Sequence, residues 1–165
     1  PIFYQQPRIG RDAKPFWIWK FRSMVIDADQ VLAQHLALHP QLQQAWDQDQ
    51  KLRDDPRITR IGKFLRQSSL DELPQLWNVL RGEMSMVGPR PITQEEVWRY
   101  GDKFDDYARV LPGMTGLWQV SGRNDLTYSE RVNLDTYYVR NWSVRLDVYI
   151  LLRTIKVVLV GDGAY

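Results

Sequence analysis

Two adjacent acidic residues, Asp71 and Glu72, are the side chains in this sequence whose type and spacing best suit catalysis. They lie in the stretch Ser-Leu-Asp-Glu-Leu-Pro-Gln at 69–75. Carboxylates are established covalent nucleophiles toward phosphoryl groups, and Mg²⁺ prefers one or two carboxylates together with substrate phosphates. Adjacent side chains point in different directions, so the two carboxylates do not share a proton as a dyad does. The pair predicts phosphoryl chemistry in which one carboxylate attacks phosphorus and the other holds Mg²⁺.

The same residues also match a purely structural pattern. Ser69 as N-cap and Glu72 at the third helical position form a capping box, and acidic residues in a first turn suit the helix dipole. Pro74 conflicts with the simplest version, because a proline at the fifth position removes a helical hydrogen bond. Either the helix bends there, or it begins near Pro74 and leaves the acidic pair at its mouth, where backbone N–H groups attract phosphate. The residues alone favour capping and leave both interpretations open.

A phosphorylated substrate is anionic, so basic side chains must converge on the acidic pair. Four candidates occur where loops or strand ends are expected: Lys20, Arg22, Arg90 and Arg123. Arg90 stands between two prolines, which restrict the backbone and limit the freedom of the arginine. Each of the four taken singly is more typical of a surface charge. Together with the acidic pair they are compatible with a phosphate site.

Composition excludes several classes of protein. A chain of 165 residues indicates one domain, and the absence of cysteine rules out a disulfide scaffold, a Cys-ligated metal site and a thiol nucleophile. The glycine-rich nucleotide loops and the nucleophile elbow of hydrolases are also missing. The net charge of +2 is too small to indicate nucleic acid, but residues 1–66 hold eleven Lys or Arg against seven Asp or Glu. This asymmetry favours phosphates or a membrane surface near the N-terminal half.

The elements that must position these residues begin with a β-hairpin. Aromatic and β-branched residues at 16–22 predict a strand, and a turn before them connects it to an apolar run at 2–4. Residues 27–53 predict two helices that begin at Asp27 or Asp29 and are interrupted at Pro40, the second running from 41 to about 51.

The remaining pattern is mostly helical. A basic helix is expected at 59–67, and a second one opens at 68 and ends before Gly82. The other expected elements are a loop at 85–91, a charged and solvated helix at 93–109, a loop with a short strand at 111–123, and helices at 128–140 and 146–160. The fold class is therefore α+β: a helix-rich single domain with a small N-terminal β-hairpin and amphipathic membrane-surface helices.

Several ordered motifs resemble the bacterial polyprenyl-phosphate sugar-1-phosphate transferases, also called monotopic phosphoglycosyl transferases. The matching segments are 1–10 with Arg8 and Gly10, 20–24, 54–59, 69–75, 88–91, 112–123 and 147–154. The resemblance covers essentially the whole chain, 1–165, as the catalytic domain of this family. The arm at 27–53 and the ending at 161–165 resemble the longer members. The family's re-entrant membrane helix, which would precede Pro1, is expected to lie outside this sequence.

The resemblance implies a two-step reaction. Asp71 would attack the sugar-linked phosphorus of a UDP-sugar and expel UMP, and the phosphate of a polyprenyl (undecaprenyl) carrier would then displace Asp71. Glu72 would hold Mg²⁺ on the diphosphate. The phosphate charge would be neutralised by Lys20, Arg22, Arg90 and Arg123. Galactose is the first expectation for the sugar and glucose the second.

The resemblance also implies the partners. These are a UDP-sugar, a polyprenyl phosphate lipid and the membrane surface, at the cytoplasmic face of the bacterial inner membrane; a homodimer is compatible with it and nucleic acid is not expected. Two alternatives stay open. A non-catalytic basic membrane-surface binding module would release no UMP, and a metal-dependent phosphohydrolase would pass the phosphosugar to water.

Overall fold

The structure is a computed structural model that describes residues 1–49, 52, 54–122 and 126–160. Its strands are β1 Phe3–Ile9, β2 Pro15–Phe21, β3 Ser85–Val87 and β4 Gly113–Thr115. Its α-helices are α1 Ala28–Leu38, α2 Gln43–Asp49, α3 Arg60–Gln67, α4 Gln75–Leu80, α5 Phe104–Ala108, α6 Leu117–Ser121, α7 Tyr128–Arg140 and α8 Val144–Val160. Short 3₁₀ segments occur at Arg11–Ala13, Pro40–Leu42, Leu70–Glu72, Gln94–Arg99 and Gly101–Lys103.

The predicted N-terminal hairpin is confirmed. Strands β1 and β2 pair antiparallel, with Tyr4 opposite Lys20 and Arg8 opposite Phe16. Side chains directly opposite each other in such a pair share one face of the ribbon. Because side chains alternate along a strand, Arg8 and Lys20 therefore lie on the same face as Ile18, which is almost completely buried.

The helical arm also matches its prediction. Helix α1 has Asp27 at the N-cap position, although the aspartate side chain caps nothing, and Pro40 opens the 3₁₀ turn that separates α1 from α2. Helix α1 contains no buried residue. Residues 50, 51 and 53 of the predicted arm lie outside the described residues, and its status as an insertion stays a prediction.

Helix α3 is fixed against the chain that follows β2. The Thr59 hydroxyl accepts the Gly62 N–H at 2.9 Å and so caps the helix, while the Thr59 N–H donates to the Ser23 carbonyl at 3.0 Å. A Cβ at Gly62 would lie only 1.8 Å from the same carbonyl oxygen. The helix backbone therefore packs directly on the Ser23 backbone, which only glycine allows.

The segment 68–82 is not one helix. A 3₁₀ turn carries Leu70–Glu72, and α4 begins after Pro74, which occupies its N-cap. Ser69 has a left-handed conformation with φ of 57° and makes no side-chain cap. The capping box is therefore wrong, and the alternative in which the acidic pair precedes the helix is correct, because proline begins a helix more readily than it continues one.

Two expectations for the middle of the chain require correction. Residues 85–91 contain strand β3, which pairs in parallel with β4, and residues 117–121 form α6 rather than loop. A Cβ at Gly113 would lie 2.1 Å from the Gly88 backbone nitrogen, so the glycines at 88 and 113 mark a close backbone approach. The glycines and prolines of the two segments made both look like loops.

The expected solvated helix at 93–109 is also wrong. The segment is divided into two 3₁₀ segments and α5, and Gly101, which begins the second 3₁₀ segment, has a φ of +52°. Tyr100 and Tyr107 are buried and pack with Ile9, Ile92 and Val132. The aromatic residues of this charged segment therefore build the core that holds the end of β1.

The C-terminal helices complete the α+β fold. A capping box formed by Thr127 and Glu130 starts α7, and α8 begins two residues before its predicted start. Tyr138 of α7 and Ile150 of α8 pack with residues of β3 and α6. Across the ranges described above, no helix combines the length and the apolar character needed to cross a membrane. The fold class is confirmed, and the membrane-surface role of its helices stays a prediction.

Candidate active site

A cleft between the hairpin, the 3₁₀ turn and the proline-rich loop brings together three of the predicted site residues. It has a volume of about 250 Å³, part of which is open to solvent. Its charged lining comes from Lys20 on β2, Glu72 on the turn, Arg90 after β3 and Arg8 on β1. Three cationic groups and one carboxylate therefore face a common space.

Lys20 and Glu72 form the central ion pair of the cleft. The ammonium Nζ donates to Glu72 Oε1 at 2.6 Å, and the Lys20 and Glu72 side chains are 17% and 27% exposed. Burial by itself would raise the pKa of Glu72, but the positive charges of Lys20, Arg90 and Arg8 outweigh it and lower this pKa to about 2. Glu72 is therefore an anion at neutral pH.

A buried asparagine places Lys20 beside Glu72. Asn78 of α4 is completely buried; its Oδ1 accepts the Trp19 N–H at 3.1 Å and its Nδ2 donates to the Trp17 carbonyl at 2.7 Å. The Asn78 amide thus pairs with the free edge of β2. Because Lys20 directly follows Trp19, this connection fixes the distance between the lysine and the turn that precedes α4.

Asp71 shares the 3₁₀ turn with Glu72 but is not part of the cleft wall. Burial and the adjacent Glu72 charge raise the pKa of Asp71, while Lys20 and Arg66 oppose the shift. A carboxylate with a raised pKa is a stronger base and is less solvated, which suits attack on an electrophile. The acidic pair therefore consists of two carboxyl groups whose environments shift their pKa values in opposite directions.

Arg90 reaches the cleft from a segment with a fixed backbone. Pro89 is fully buried, and the Arg90 guanidinium lies 5.9 Å from the centre of the Trp118 ring. Two residues further on, the Ile92 carbonyl accepts the Ile9 N–H at 2.9 Å. The loop that carries Arg90 is thus attached to the end of β1.

The other two predicted basic residues are not placed in the cleft. Arg22 donates through Nε to the Pro1 carbonyl at 3.1 Å and stacks over the Tyr4 ring, so its guanidinium contacts the start of the hairpin. Arg123 lies outside the described residues. Of the four predicted phosphate ligands, the structure therefore groups Lys20 and Arg90.

Arg8 was missed as a site residue and was noted only as part of the family motif. Its side chain lines the cleft although the residue is only 8% exposed. The register of the hairpin identifies it. Arg8 pairs with Phe16, and residues 16, 18 and 20 lie on one face of β2, so Arg8 shares that face with Lys20. An arginine on the buried face of a two-stranded ribbon needs an explanation.

The donor set fits a cation that is bound mainly by its substrate. Within the described ranges, no group of three or more His, Asp or Glu side chains could hold a metal ion. Magnesium needs only one or two carboxylates when phosphates and water supply its other ligands. Glu72 provides one ionised carboxylate at the cleft, and Asp71 is its neighbour in sequence. These residues therefore fit Mg²⁺ carried in with a diphosphate.

Comparison with known proteins gives one consistent result. The family model described as bacterial sugar transferase matches residues 1–161. A UDP-galactose-lipid carrier transferase from Erwinia amylovora is 57% identical over 98% of this chain and 34% of its own length. An undecaprenyl-phosphate galactose phosphotransferase from Salmonella typhimurium is 54% identical over 100% of this chain and 35% of its own length.

A more distant relative has a different sugar in its name. The UDP-glucose:undecaprenyl-phosphate glucose-1-phosphate transferase from Klebsiella pneumoniae is 37% identical over 100% of this chain and 34% of its own length. The chain thus spans about a third of the length of these three curated relatives. The matched region includes the whole cleft.

Proposed function

The chain belongs to the bacterial sugar transferase family, and from this premise we propose that it transfers a sugar 1-phosphate from a UDP-sugar to a polyprenyl phosphate carrier. The observation that carries the proposal is the cleft in which Lys20, Glu72 and Arg90 meet beside Asp71. The names of the relatives support a UDP-sugar donor and undecaprenyl phosphate as acceptor.

In the first step, a carboxylate oxygen of Asp71 attacks the sugar-linked phosphorus of the UDP-sugar. A new bond forms between that oxygen and phosphorus, while the bond from phosphorus to the UMP oxygen breaks and UMP leaves with the electron pair. Lys20 and Arg90 line the cleft, and in this proposal they neutralise the charge of the diphosphate. The product is a phosphosugar covalently attached to Asp71.

In the second step, a phosphate oxygen of the carrier attacks the same phosphorus. The bond to Asp71 breaks, the carboxylate is regenerated, and a polyprenyl-diphosphate sugar leaves. Water must be kept from this intermediate, because hydrolysis would waste the sugar phosphate. The reaction therefore uses one nucleophile twice, as attacking group and then as leaving group.

Glu72 holds Mg²⁺ in this proposal. When bound there with the diphosphate, Mg²⁺ supplies charge neutralisation for the phosphate oxygens and for the leaving UMP. Glu72 is kept ionised by its cationic neighbours, and Lys20 orients it through the 2.6 Å hydrogen bond. The carboxylate thus stays available as a ligand across the neutral pH range.

The proposal includes a sugar and a location. Galactose is expected first and glucose second, in line with the names of the relatives. A polyprenyl phosphate presents its phosphate at the headgroup level of a bilayer, so we place the cleft at the cytoplasmic face of the bacterial inner membrane. The product would enter the assembly of a surface polysaccharide.

Mass spectrometry of the intact protein tests the proposal directly. After incubation with Mg²⁺ and a panel of UDP-sugars, the protein is expected to gain the mass of one hexose phosphate on Asp71 and to release one UMP. Asp71→Asn removes the nucleophile and should show neither, whereas Asp102→Asn, an exposed acid, serves as the control. Free sugar phosphate in solution would indicate a phosphohydrolase. No UMP release together with vesicle binding would indicate a binding module.

A further inference from the structure

Arg8 is a buried cation whose guanidinium is mostly without partners. One terminal nitrogen, Nη2, donates to Gln6 Oε1 at 2.7 Å. The other two nitrogens, Nε and Nη1, are shielded from solvent and have no acceptor in the described part of the chain. Burying such groups without acceptors costs free energy, so native proteins rarely leave them in this state without a function.

The fold prevents Arg8 from turning away. The next residue, Ile9, donates its N–H to the Ile92 carbonyl at 2.9 Å, and its own carbonyl accepts the Tyr107 hydroxyl at 2.6 Å. Ile9 and Tyr107 belong to the same hydrophobic cluster. These contacts lock the end of β1 to the segment that carries Arg90, so both guanidinium groups are held near the cleft.

The local charge balance favours an anion. Burial and the positive charge of the nearby Arg90 both lower the pKa of Arg8, so the two cations repel each other. Glu72 is the acidic side chain of the cleft wall and is already paired with Lys20. The negative charge of Glu96 raises the pKa of Arg8, but the Glu96 carboxylate accepts the Thr93 N–H at 2.8 Å and does not line the cleft. The three cations of the cleft wall, Lys20, Arg8 and Arg90, therefore outnumber its one carboxylate, Glu72.

We propose that Arg8 binds the sugar-linked phosphate of the donor, giving its free N–H groups to non-bridging oxygens on the side of the phosphate that faces Arg90. This rests on the proposed function. Gln6 keeps the guanidinium plane fixed through Nη2, so the remaining donors are preorganised. A phosphate there satisfies the buried nitrogens and relieves the repulsion between Arg8 and Arg90.

Nucleotide binding distinguishes this role from general charge attraction. We compare binding of UDP and UMP by calorimetry at fixed Mg²⁺ for the wild type, Arg8→Gln, Arg8→Lys and Arg11→Gln. Arg11→Gln is the control for net charge. It also removes one positive charge, but from a half-exposed side chain in the hairpin turn. Loss of charge-assisted hydrogen bonds should weaken UDP binding by about 10–100-fold in Arg8→Gln. Its affinity for UMP, which lacks the second phosphate, should fall less than threefold. Arg11→Gln should change neither the UDP affinity nor the UMP affinity.

Thermal unfolding separates ligand binding from a structural role. Because the buried guanidinium lacks acceptors, Arg8→Gln should unfold at the same or a higher temperature than the wild type without ligand. Inorganic pyrophosphate should raise the unfolding temperature of the wild type and not that of Arg8→Gln. Arg8→Lys, which keeps the charge on a different head group, should fold and bind UDP with intermediate affinity even if Arg8→Gln does not fold.

The outcomes are distinct. If the wild type binds UDP and both Arg8 variants bind it equally well, Arg8 is not a phosphate ligand although the proposed function stands. A lower unfolding temperature for Arg8→Gln, with UDP and UMP affinities reduced by the same factor, would assign Arg8 a structural role instead. If the wild type binds no UDP-sugar and forms no adduct, the proposed function itself is overturned, and this inference with it.

Discussion

Glu72 illustrates how one residue supports two interpretations that only structure separates. Its position three residues after Ser69 matches a capping box, yet its side chain pairs with Lys20, and the Ser69 N–H donates to the Arg66 carbonyl at 3.1 Å instead. A glutamate that only caps can be replaced by glutamine at little cost, since glutamine also closes a capping box. A glutamate that carries a charge in a cleft cannot.

We therefore expect Glu72→Gln to reduce transfer by about 10–100-fold or more and to weaken the dependence on Mg²⁺. The pKa of Glu72 is lowered to about 2 in the fold, so the stability from its ion pair is present above the unfolded pKa and is lost as the pH falls through about 2. Urea unfolding from pH 6 to pH 2 should show a smaller acid-induced loss in Glu72→Gln than in the wild type. Unchanged activity with a lower melting temperature would contradict the role in the cleft.

The sequence identifies the site residues whose neighbours in the chain carry a signal. Asp71 and Glu72 are adjacent, and the prolines on both sides of Arg90 mark it as fixed. Arg8 has no such neighbours, because its importance comes from strand register and from a core that forms around Ile9. Arg22 shows the opposite case, since it shares a motif with Lys20 but contacts Pro1 and Tyr4 instead.

At the scale of elements, the site depends on the contact between β2 and α4. The Asn78 amide bonds to the backbone of β2 on both sides of Ile18, as a neighbouring strand would, and also donates to Glu83 at 2.7 Å. One side chain thus connects the hairpin that carries Lys20 to the helix that follows Glu72. The short distance between the lysine and the glutamate is a consequence of this connection.

Asn78→Ala should therefore destabilise the fold and disturb the site together. It removes three hydrogen bonds and leaves the Trp19 N–H without its acceptor, for an expected loss of about 2–4 kcal/mol of unfolding free energy. Asn133→Ala is the matched control: its amide lies at an exposed position of α7 and accepts a hydrogen bond from the Lys103 ammonium, and its loss should stay within about 0.5 kcal/mol. Chemical denaturation measures both variants. Wild-type stability for Asn78→Ala would show that another contact joins the two elements.

The elements themselves differ in how far sequence predicts them. The hairpin and helices α1, α3 and α7 follow from local patterns: aromatic alternation, caps and apolar spacing. The strands β3 and β4 have three residues each, and they form because Gly88 and Gly113 let two backbones approach. That signal is non-local, so the sequence predicted only a loop at 85–91, although it did predict a short strand within 111–123. The segment with Tyr100 and Tyr107 is a similar case, because the distant core residues that bury both tyrosines cannot be read from the local sequence.

For the whole molecule, the surface next to the acidic turn combines charge and apolar exposure. Helix α3 packs against the 3₁₀ turn and exposes Ile61 and Phe64, at 73% and 63%, together with Arg60 and Lys63. Large apolar side chains next to basic ones suit the interface of an anionic bilayer. Arg66 of the same helix has contacts within the fold. Its Nε donates to the Ser23 hydroxyl at 2.9 Å, and its positive charge opposes the rise in the pKa of Asp71.

The proposed lipid acceptor requires the cleft to lie within reach of the headgroups, so we predict that Arg60 and Lys63 hold α3 on the membrane. Each basic residue near an anionic surface contributes about 1 kcal/mol, so replacing both by Gln should reduce binding to phosphatidylglycerol vesicles by about thirtyfold and should reduce the salt dependence. Arg66 is left intact because its loss would also disturb the fold.

The control replaces Arg11 and Lys14 of the hairpin turn, which removes the same number of charges from exposed positions. If both double variants lose vesicle binding equally in a flotation assay, net charge rather than α3 directs the protein to the membrane. A selective loss in the α3 variant, with an unchanged melting temperature, places the docking surface beside Asp71.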